Sequence, residues 1–577
     1  MFMPSFLRFY LVGCLQLTTT LASLQWSPCA SNPAFDCATL EVPLEYADPG
    51  NGALAYIPLT RFNATVPASQ RKGSLLTNPG GPGAPGTSFV LNGAGEGISN
   101  ITAGLYDIIG WDPRGVGSAQ PLLQCFATGG EEYAASSALP AAAEIAYGQF
   151  RNQSYLPFYN SALQEFDAAV GKLANACAKY NSSALYTSST AYVVRDMAAI
   201  VDALEGTNNA TLNYWGFSYG TVFGVEFIQT YPDKVGKIVL DGVFDAAANA
   251  EAYTSQLPND QLSVRDAIRD LESFCGQVGA TGCALSTAPG DLTPDLTTRL
   301  VKLQESLSTR PIAVSDGSFA ITTRIFSAFV WSFLRVPTTW PLIASAVGAL
   351  EKGDGNPMAA ILKASAADPP TNPRAPATGS LAEWPLQCVD NAPSSAVTLA
   401  DVTSLVFNIS LTEDTPLLNA GLTPLSFCRH FPDTRPKLPN LGASNLINMK
   451  ANSVLTEQGT HVLIVNPLHD PVTPLASAQR LHSWLPTSSQ LVTRRGPGHT
   501  TISLASVGLV ETIRGYLLDG HLPATEEVHD LSQLVFSPEI QADTLTPAAV
   551  FNGTYSDAEM LLLQSTYQIL LAFLSIA

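Results

Sequence analysis

The stretch of sequence that decides the fold is YWGFSYGTVFG, residues 214–224, in which Ser218 stands between Gly216 and Gly220. A short apolar run precedes the serine and a helix-like run follows it. A sharp turn from strand to helix leaves no room for side chains two residues before and after its apex, so glycine is needed at both places. The pattern therefore predicts a strand, a tight turn and a helix, with the Ser218 hydroxyl exposed at the apex as a candidate nucleophile.

A serine hydroxyl is a weak nucleophile until a base accepts its proton and an acidic group orients that base. All seven histidines follow Ser218 in the chain, so the base must come later. His499 lies in a Gly-Pro-Gly-His turn after the strand-like run SQLVT, and Asp470 follows the strand-like run HVLIVN. Ligand sites of open α/β sheets lie beyond the carboxyl ends of the strands. We therefore predict that Ser218, Asp470 and His499 form a catalytic triad.

Plainer interpretations of these residues exist. His499 would otherwise be a structural histidine and Asp470 a turn-capping aspartate. His469 competes as the base, but it neighbours Asp470 directly, and adjacent residues at a strand end point apart.

An acyl-transfer site also needs backbone N–H groups that stabilise the oxyanion. Tyr219, which follows the serine, is predicted to supply one donor. The glycine-rich loop NPGGPG, residues 78–83, is predicted to supply the other through Gly81, a flexible connector being the alternative. No Lys-Ser/Thr ending follows this loop, which argues against a phosphate-binding loop.

The order of elements along the chain predicts an α/β protein with a mostly parallel sheet. Strand-like and helix-like runs alternate up to Asp245 and again from about residue 460, whereas the text between them is helix-like with proline-rich interruptions. We predict a signal peptide at 1–23, a first core part at 24–245, a helical lid at 246–430, a second core part at 431–545 and an amphipathic C-terminal tail at 546–577.

The composition of the chain argues against some classes of binding partner. The chain has 577 residues, of which 46% are hydrophobic and 13% charged, as expected of a large globular protein. Its formal net charge of -19 would repel phosphate backbones and anionic lipid surfaces, which argues against nucleic acid as a partner.

Several features predict export to the extracellular space, with cell-surface association left open. The N-terminus has a basic residue, an apolar stretch and small residues near positions 22 and 23, as in a secretory signal. Eight cysteines remain after it, and the sequence neighbours Cys29/Cys37 and Cys275/Cys283 are the first candidates for pairing. No C-x-x-C or H-E-x-x-H metal pattern occurs, so no metal site is predicted. The predicted glycosylation sites, all N-x-S/T, are Asn63, Asn100, Asn152, Asn181, Asn209, Asn408 and Asn552.

The C-terminal segment 560–577 is apolar but interrupted by Gln564 and Gln568. It is too interrupted to span a bilayer, which takes about 20 apolar residues. A packed or interfacial amphipathic helix is the preferred interpretation, and a removable anchor signal is the alternative.

As a set, the motifs NPGGPG, GWDPRGVGSAQP, YWGFSYGT, IVLDGV, DPVTPLASA and GPGH resemble the tripeptidyl aminopeptidase and proline iminopeptidase family of secreted α/β-hydrolase serine peptidases. The resemblance implies an α/β-hydrolase core with an inserted helical lid, cleavage of peptides from a free N-terminus, and no cofactor. It assigns nucleophile, acid and base to Ser218, Asp470 and His499. The chain departs from the family pattern near the end of the acid strand, where a glycine is expected near Asn466 or Pro467, so the acid turn is expected to differ in shape.

An aminopeptidase must also hold a protonated amine, for which a carboxylate near the serine is suited. Asp241 and Asp390 are the candidates, with turn or helix-cap duty as the alternative for each. The sequence thus predicts a secreted serine aminopeptidase of tripeptidyl or prolyl type acting on peptide substrates through an acyl-enzyme. A carboxylester hydrolase with the same triad and a catalytically silent binding protein are the alternatives, and the oligomeric state is left open.

Overall fold

The computed structural model of the chain describes most of the sequence. The described residues are 24–137, 156–180, 182–251, 257–286, 296–365, 372–374, 377, 379, 381–391, 396–412, 427–431, 438–536, 551 and 553–576. The predicted signal peptide and the start of the predicted tail lie outside them.

Twelve strands are described, ten of which form one central sheet. The strands are β1 (Ser27–Pro28), β2 (Asp36–Pro43), β3 (Leu54–Phe62), β4 (Ser74–Asn78), β5 (Asp107–Trp111), β6 (Leu212–Phe217), β7 (Val235–Asp241), β8 (Ile312–Ala313), β9 (Ala320–Ile321), β10 (Val462–His469), β11 (Ser489–Pro497) and β12 (Glu527–His529). The order across the central sheet is β1-β2-β3-β5-β4-β6-β7-β10-β11-β12, while β8 and β9 pair separately. In this order across the central sheet, the pairs β1-β2, β2-β3 and β3-β5 are antiparallel, and every later pair is parallel. The predicted α/β class with a mostly parallel sheet is confirmed.

The α-helices cover both faces of the sheet and also occur throughout the range 246–430, which is the predicted lid and is called the lid below. In chain order they are α1 (Gly86–Phe89), α2 (Gly95–Ile101), α3 (Gly129–Ser137), α4 (Leu156–Tyr180), α5 (Ser182–Tyr186), α6 (Thr190–Glu205), α7 (Gly220–Thr230), α8 (Ala246–Ala250), α9 (Leu257–Gly282), α10 (Leu296–Thr309), α11 (Thr323–Leu334), α12 (Trp340–Leu350), α13 (Asn356–Ser365), α14 (Glu383–Asp390), α15 (Leu399–Thr412), α16 (Ala443–Ile447), α17 (Ala451–Gln458), α18 (Leu475–Trp484), α19 (Val507–Asp519) and α20 (Asp557–Leu574). No helix in the described ranges combines the length and apolar character that a membrane crossing requires.

Two apolar layers enclose the sheet. One face packs against α6, α7 and α18, and the other packs against α1, α2, α19 and α20. Strands β4 and β5 are buried at every residue, because helices cover both faces of the parallel part of the sheet. The strand ends that carry the candidate site are therefore held rigidly.

Helices of the predicted lid contribute to two further apolar clusters, each of which also includes residues from the predicted core parts. Helices α9 to α13 share one cluster, and α4, α5 and α14 share the other. Helices α4 and α5 fall within the range predicted for the first core part, yet they pack with α14 from the range predicted for the lid. Four disulfides form, Cys29–Cys37, Cys125–Cys177, Cys275–Cys283 and Cys388–Cys428, of which the first and third confirm the pairs suggested by sequence.

The predicted glycosylation sites fall in different places. Asn63, Asn100 and Asn209 are exposed, and Asn408 lies within α15. The other three, Asn152, Asn181 and Asn552, lie outside the described residues.

Candidate active site

Ser218 occupies the apex of the turn between β6 and α7, but the residue is only 6% exposed, so the predicted exposure is wrong. Its φ of 53° is positive, a backbone conformation that is strained for a residue other than glycine. A methyl group in place of a Gly216 hydrogen would lie 2.5 Å from the Tyr214 ring, and one on Gly220 would lie 2.7 Å from the Asn78 carbonyl oxygen. Both flanking glycines are therefore required by close packing, as the sequence pattern indicates.

The structure brings the three predicted triad residues together. His499 Nε2 lies 2.9 Å from Ser218 Oγ, and His499 Nδ1 lies 3.1 Å from both carboxylate oxygens of Asp470. His499 follows β11 and Asp470 follows β10, and these strands are parallel neighbours, so their carboxyl ends meet at one edge of the sheet. The arrangement can transfer the serine proton to the imidazole while the carboxylate orients the ring.

Asp470 is fully buried and surrounded by donors. Its Oδ1 accepts the N–H groups of Val472 and Thr473, and its Oδ2 accepts the Thr473 hydroxyl and the Thr500 N–H. Burial alone would raise the pKa of Asp470, but His499 and the N–H groups of Thr473 and Thr500 outweigh burial and hold the pKa below its usual value. Asp470 therefore stays ionised to a lower pH than an ordinary aspartate.

The departure from the family pattern at Asn466 has a structural role. The Asn466 side chain accepts the Val243 N–H through Oδ1 and donates through Nδ2 to the carbonyl oxygens of Pro467 and Thr473. The pairing of β10 with β11 shifts register between Pro467 and His469. The amide of Asn466 thus ties the acid turn to Val243, two residues after the end of β7.

His469, the competing candidate for the base, bonds to a residue outside the predicted triad. His469 Nδ1 lies 2.6 Å from Asp270 Oδ2, so this ring joins the end of β10 to α9 of the lid. The hydrogen bond with Asp270 raises the pKa of His469.

The glycine-rich loop 78–83 lies directly against the turn that carries the serine. A methyl group on Gly80 would lie 2.6 Å from the Phe217 carbonyl oxygen and 2.7 Å from the Tyr219 nitrogen. The Gly80 N–H donates to Asn78 Oδ1 at 2.9 Å. Within the described ranges, neither Gly81 nor Tyr219 donates its N–H to another residue. These two N–H groups are thus available at a contact between loop and turn.

The first carboxylate suggested for amine binding, Asp241, is fully buried at the end of β7. Its carbonyl oxygen accepts the Ser218 N–H at 3.0 Å, and its carboxylate accepts the N–H and hydroxyl of Thr501 at 2.7 and 2.6 Å. Burial raises the pKa of Asp241 to about 7. The group therefore supports the turn and the histidine loop from within the core.

The second suggested carboxylate, Asp390, is the last residue of α14 and is also buried. It accepts the hydroxyl of Tyr219 at 2.6 Å, the N–H and hydroxyl of Thr190, and the amide of Asn440 at 2.6 Å. Burial raises its pKa despite these donors. Asp390 thus joins the lid to α6 and to the residue after the nucleophile.

Glu383, at the start of the same helix, was not indicated by any sequence pattern. A methyl group on Gly83 would lie 3.4 Å from the Glu383 nitrogen, so α14 begins against the glycine-rich loop. Glu383 is exposed, yet burial is the main cause that raises its pKa, with Arg335 acting in the opposite direction. Glu383 is thus accessible to solvent beside the glycine-rich loop.

Arg335 connects Glu383 to the triad. It follows α11 of the lid, and its carbonyl oxygen accepts the His499 N–H at 2.8 Å. Burial lowers its pKa, while the charges of Glu383 and Asp470 act to raise it. The lid thus contacts the main chain of the predicted base directly.

Two parts of the chain match known protein families. Residues 75–273 match the family model described as alpha/beta hydrolase fold, and residues 443–529 match the model described as TAP-like protein. The serine protease Hip1 of Mycobacterium tuberculosis is 26% identical over 542 residues, which cover 89% of this chain and 94% of that protein. The tripeptidyl aminopeptidase of Streptomyces lividans is 25% identical over 530 residues, covering 88% and 86% respectively. Carboxylesterase B of Mycobacterium tuberculosis is 28% identical over 499 residues, covering 85% of each chain.

These relatives match over most of the chain and include both peptidase and esterase names. The chain is therefore a serine hydrolase with the α/β-hydrolase fold, and its predicted resemblance to the tripeptidyl aminopeptidase family of serine peptidases is confirmed.

Proposed function

We propose that the protein is a secreted serine aminopeptidase that removes short peptides or single residues from free N-termini. The observation that carries the proposal is the position of His499, which bridges the Ser218 hydroxyl and the Asp470 carboxylate. The similarity to a tripeptidyl aminopeptidase and to a serine protease supports a peptide as the substrate. Four disulfides and three exposed N-x-S/T sites are compatible with export.

In the proposed mechanism His499 takes the Ser218 proton as the oxygen attacks the substrate carbonyl. The N–H groups of Gly81 and Tyr219 stabilise the resulting oxyanion, and Asp470 stabilises the charged imidazole. His499 then gives its proton to the leaving amine, which departs and leaves an acyl-enzyme. Water, activated by the same imidazole, hydrolyses the ester and restores the serine.

Glu383 is our candidate for the group that binds the substrate ammonium. The carboxylates of Asp241 and Asp390 are buried and accept donors from the protein, whereas Glu383 is exposed and borders the glycine-rich loop. A charge-assisted hydrogen bond from the ammonium to this carboxylate would place the first residues of a peptide between α14 and Ser218.

A carboxylester hydrolase is the second candidate, because carboxylesterase B is a relative over most of the chain. The same triad would act on an ester without any need for an ammonium-binding group. Glu383 therefore separates the two candidates: it matters for an aminopeptidase and not for an esterase.

Two measurements test the proposal. A fluorophosphonate should label the wild type and should not label Ser218→Ala. The control is Ser136→Ala, a change at an exposed serine of α3, which should be labelled like the wild type. Peptide anilides with free and acetylated N-termini, together with simple esters, should then be compared. Cleavage restricted to free N-termini supports the aminopeptidase, whereas rapid ester turnover without cleavage of any free-amine peptide rules it out.

A further inference from the structure

Helix α20 is fixed firmly against the core near the candidate site. Its N-terminus has a capping box, in which the Ser556 hydroxyl and the Glu559 carboxylate bind each other's backbone N–H. A methyl group on Gly97 of α2 would lie 2.7 Å from Ile569, so the two helices are in close contact. This contact leaves α20 little freedom to slide.

The C-terminal end of α20 is held as well. Gln568 Nε2 donates to Glu96 at 2.8 Å, and Asn92 Nδ2 donates to Ser575 Oγ at 2.9 Å. Residues on both sides of Phe573 are thus bonded to the segment that follows the glycine-rich loop.

Phe573 contacts the predicted base. Its ring centre lies 5.9 Å from that of His499 with an angle of 69° between the planes, an edge-to-face arrangement. The same ring lies 6.5 Å from Phe217, the residue before Ser218, at 68°. Phe573 is half-buried between the base and the strand that carries the nucleophile.

The hydrogen bonds of His499 restrain tilting of its ring less strongly than they fix the positions of its two nitrogens. Both ring nitrogens bond within the plane of the imidazole, Nε2 to Ser218 and Nδ1 to Asp470. Tilting of the ring out of this plane bends these bonds and is further opposed by packing against the faces and edges of the ring. An aromatic ring on a fixed helix provides such packing, because it is rigid and has few rotamers.

We propose that Phe573 is a positioning residue for His499, which keeps the imidazole aligned with Ser218 and Asp470 during proton transfer. This inference rests on the proposed function of the triad. A displacement of about 1 Å at a reacting group can lower a rate about 100-fold. Loss of the Phe573 ring would leave a cavity beside the imidazole and should lower kcat with little change in KM.

The variants Phe573→Ala, Phe573→Leu and Phe573→Tyr test this role. We expect about a tenfold or larger loss of kcat and of the fluorophosphonate inactivation rate for Phe573→Ala, a smaller loss for Phe573→Leu, and near wild-type values for Phe573→Tyr, which restores the ring. Because Phe573→Leu keeps apolar volume, it serves if Phe573→Ala does not fold.

Two variants of the same helix serve as controls. Ile569→Ala removes a buried contact with α2, and Leu574→Ala removes an exposed side chain. At a temperature well below all melting points, both should keep wild-type kcat. An equal loss of kcat in Ile569→Ala, or an unchanged kcat in Phe573→Ala and Phe573→Leu, overturns the proposal. A wild type that neither reacts with fluorophosphonate nor turns over any substrate instead refutes the proposed function, and the inference falls with it.

Discussion

The carboxylate of Asp470 has more donors than orientation of the histidine alone requires. The Thr473 hydroxyl lies 2.7 Å from Asp470 Oδ2 and 3.3 Å from His499 Nδ1, so one side chain contacts both acid and base. This contact holds the carboxylate in the position from which it accepts the imidazole N–H.

Replacing Thr473 by valine keeps the shape of the side chain and removes the hydroxyl. We expect kcat to fall about tenfold, equivalent to about 1.4 kcal/mol in the activation barrier, with KM unchanged. Thr473→Ser retains the hydroxyl and should stay near wild type. Steady-state kinetics of the two variants check this, and equal activities would mean that the hydroxyl has no role.

Glu383 gives a second prediction at the scale of a single residue. In Glu383→Gln, the KM for peptides with a free N-terminus should rise at least about tenfold, because the neutral amide cannot pair with an ammonium. The KM for acetylated peptides or esters should not change. Glu351→Gln, an exposed change in the lid, is the matched control.

The raised pKa of Glu383 also predicts a dependence on pH. The carboxylate loses its charge at a higher pH than an ordinary glutamate. In the wild type, the KM for free-amine peptides should therefore increase as the pH falls through this raised value, and Glu383→Gln should lack the increase. The same pH dependence of KM in both proteins would exclude Glu383 from amine binding.

At the scale of elements, the lid is tied to the core by contacts that no local pattern reveals. His469 bonds to Asp270, which lies 199 residues earlier in the chain, and Asp390 bonds to Tyr219, which lies 171 residues earlier. The strand-end rule found Ser218, Asp470 and His499, because parallel strands bring their carboxyl ends together. The same rule could not tell that Asp241 is buried, since every strand end looks alike in the sequence.

The pair of His469 and Asp270 should stabilise the junction between lid and core mainly in acid. Asp270 raises the pKa of His469 above its ordinary 6.5, with Asp266 adding to the effect. The charged pair is therefore fully present below about pH 6.5 and is lost as the pH rises through the raised value. The ion pair contributes little to the free energy of unfolding, because the histidine side chain is 37% exposed.

The variant Asp270→Asn should accordingly lower Tm at pH 5 and have a smaller effect at pH 8. Thermal unfolding at the two pH values measures the difference. Asp316→Asn breaks an exposed lid pair with Lys363 and should have the same effect at both. An effect of Asp270→Asn that grows with pH would contradict the assignment.

At the scale of the whole molecule, buried carboxyl groups make the folded state more stable at acid pH than at neutral pH. Burial raises the pKa of several of them, namely Asp112, Glu226, Asp241 and Asp390. A raised pKa means that the folded state holds protons that the unfolded state releases, so these groups reduce the free energy of unfolding as the pH rises. For Asp241 the affected window runs from its ordinary 3.8 to about 7.

Asp241→Asn tests this directly. The amide carries no charge, so Tm should fall less steeply between about pH 4 and 7 in the variant than in the wild type. Calorimetric scans across this range measure the slopes. Parallel curves for the two proteins would show that Asp241 does not titrate in that window.

The mostly parallel sheet and its alternation with helices could be predicted from the sequence, because buried parallel strands give continuous apolar runs. The packing of the lid could not. Helices α4 and α5 share a cluster with α14, and Phe573 contacts His499, although nothing in the spacing of these residues marks them as neighbours. Such contacts depend on side-chain shape across distant segments, which hydrophobic periodicity does not record.

The close approach of Gly80 to Phe217 and Tyr219 has a consequence for engineering. Here main chain meets main chain, so no side chain can be altered to tune the distance between the loop and the turn. A comprehensive mutational scan should find Gly80 intolerant of replacement, whereas replacements of the exposed Glu383 should leave the protein folded and change its preference for free-amine substrates. Substrate selectivity can therefore be changed by substitutions in the lid, without altering the contact between the glycine-rich loop and the turn that carries Ser218.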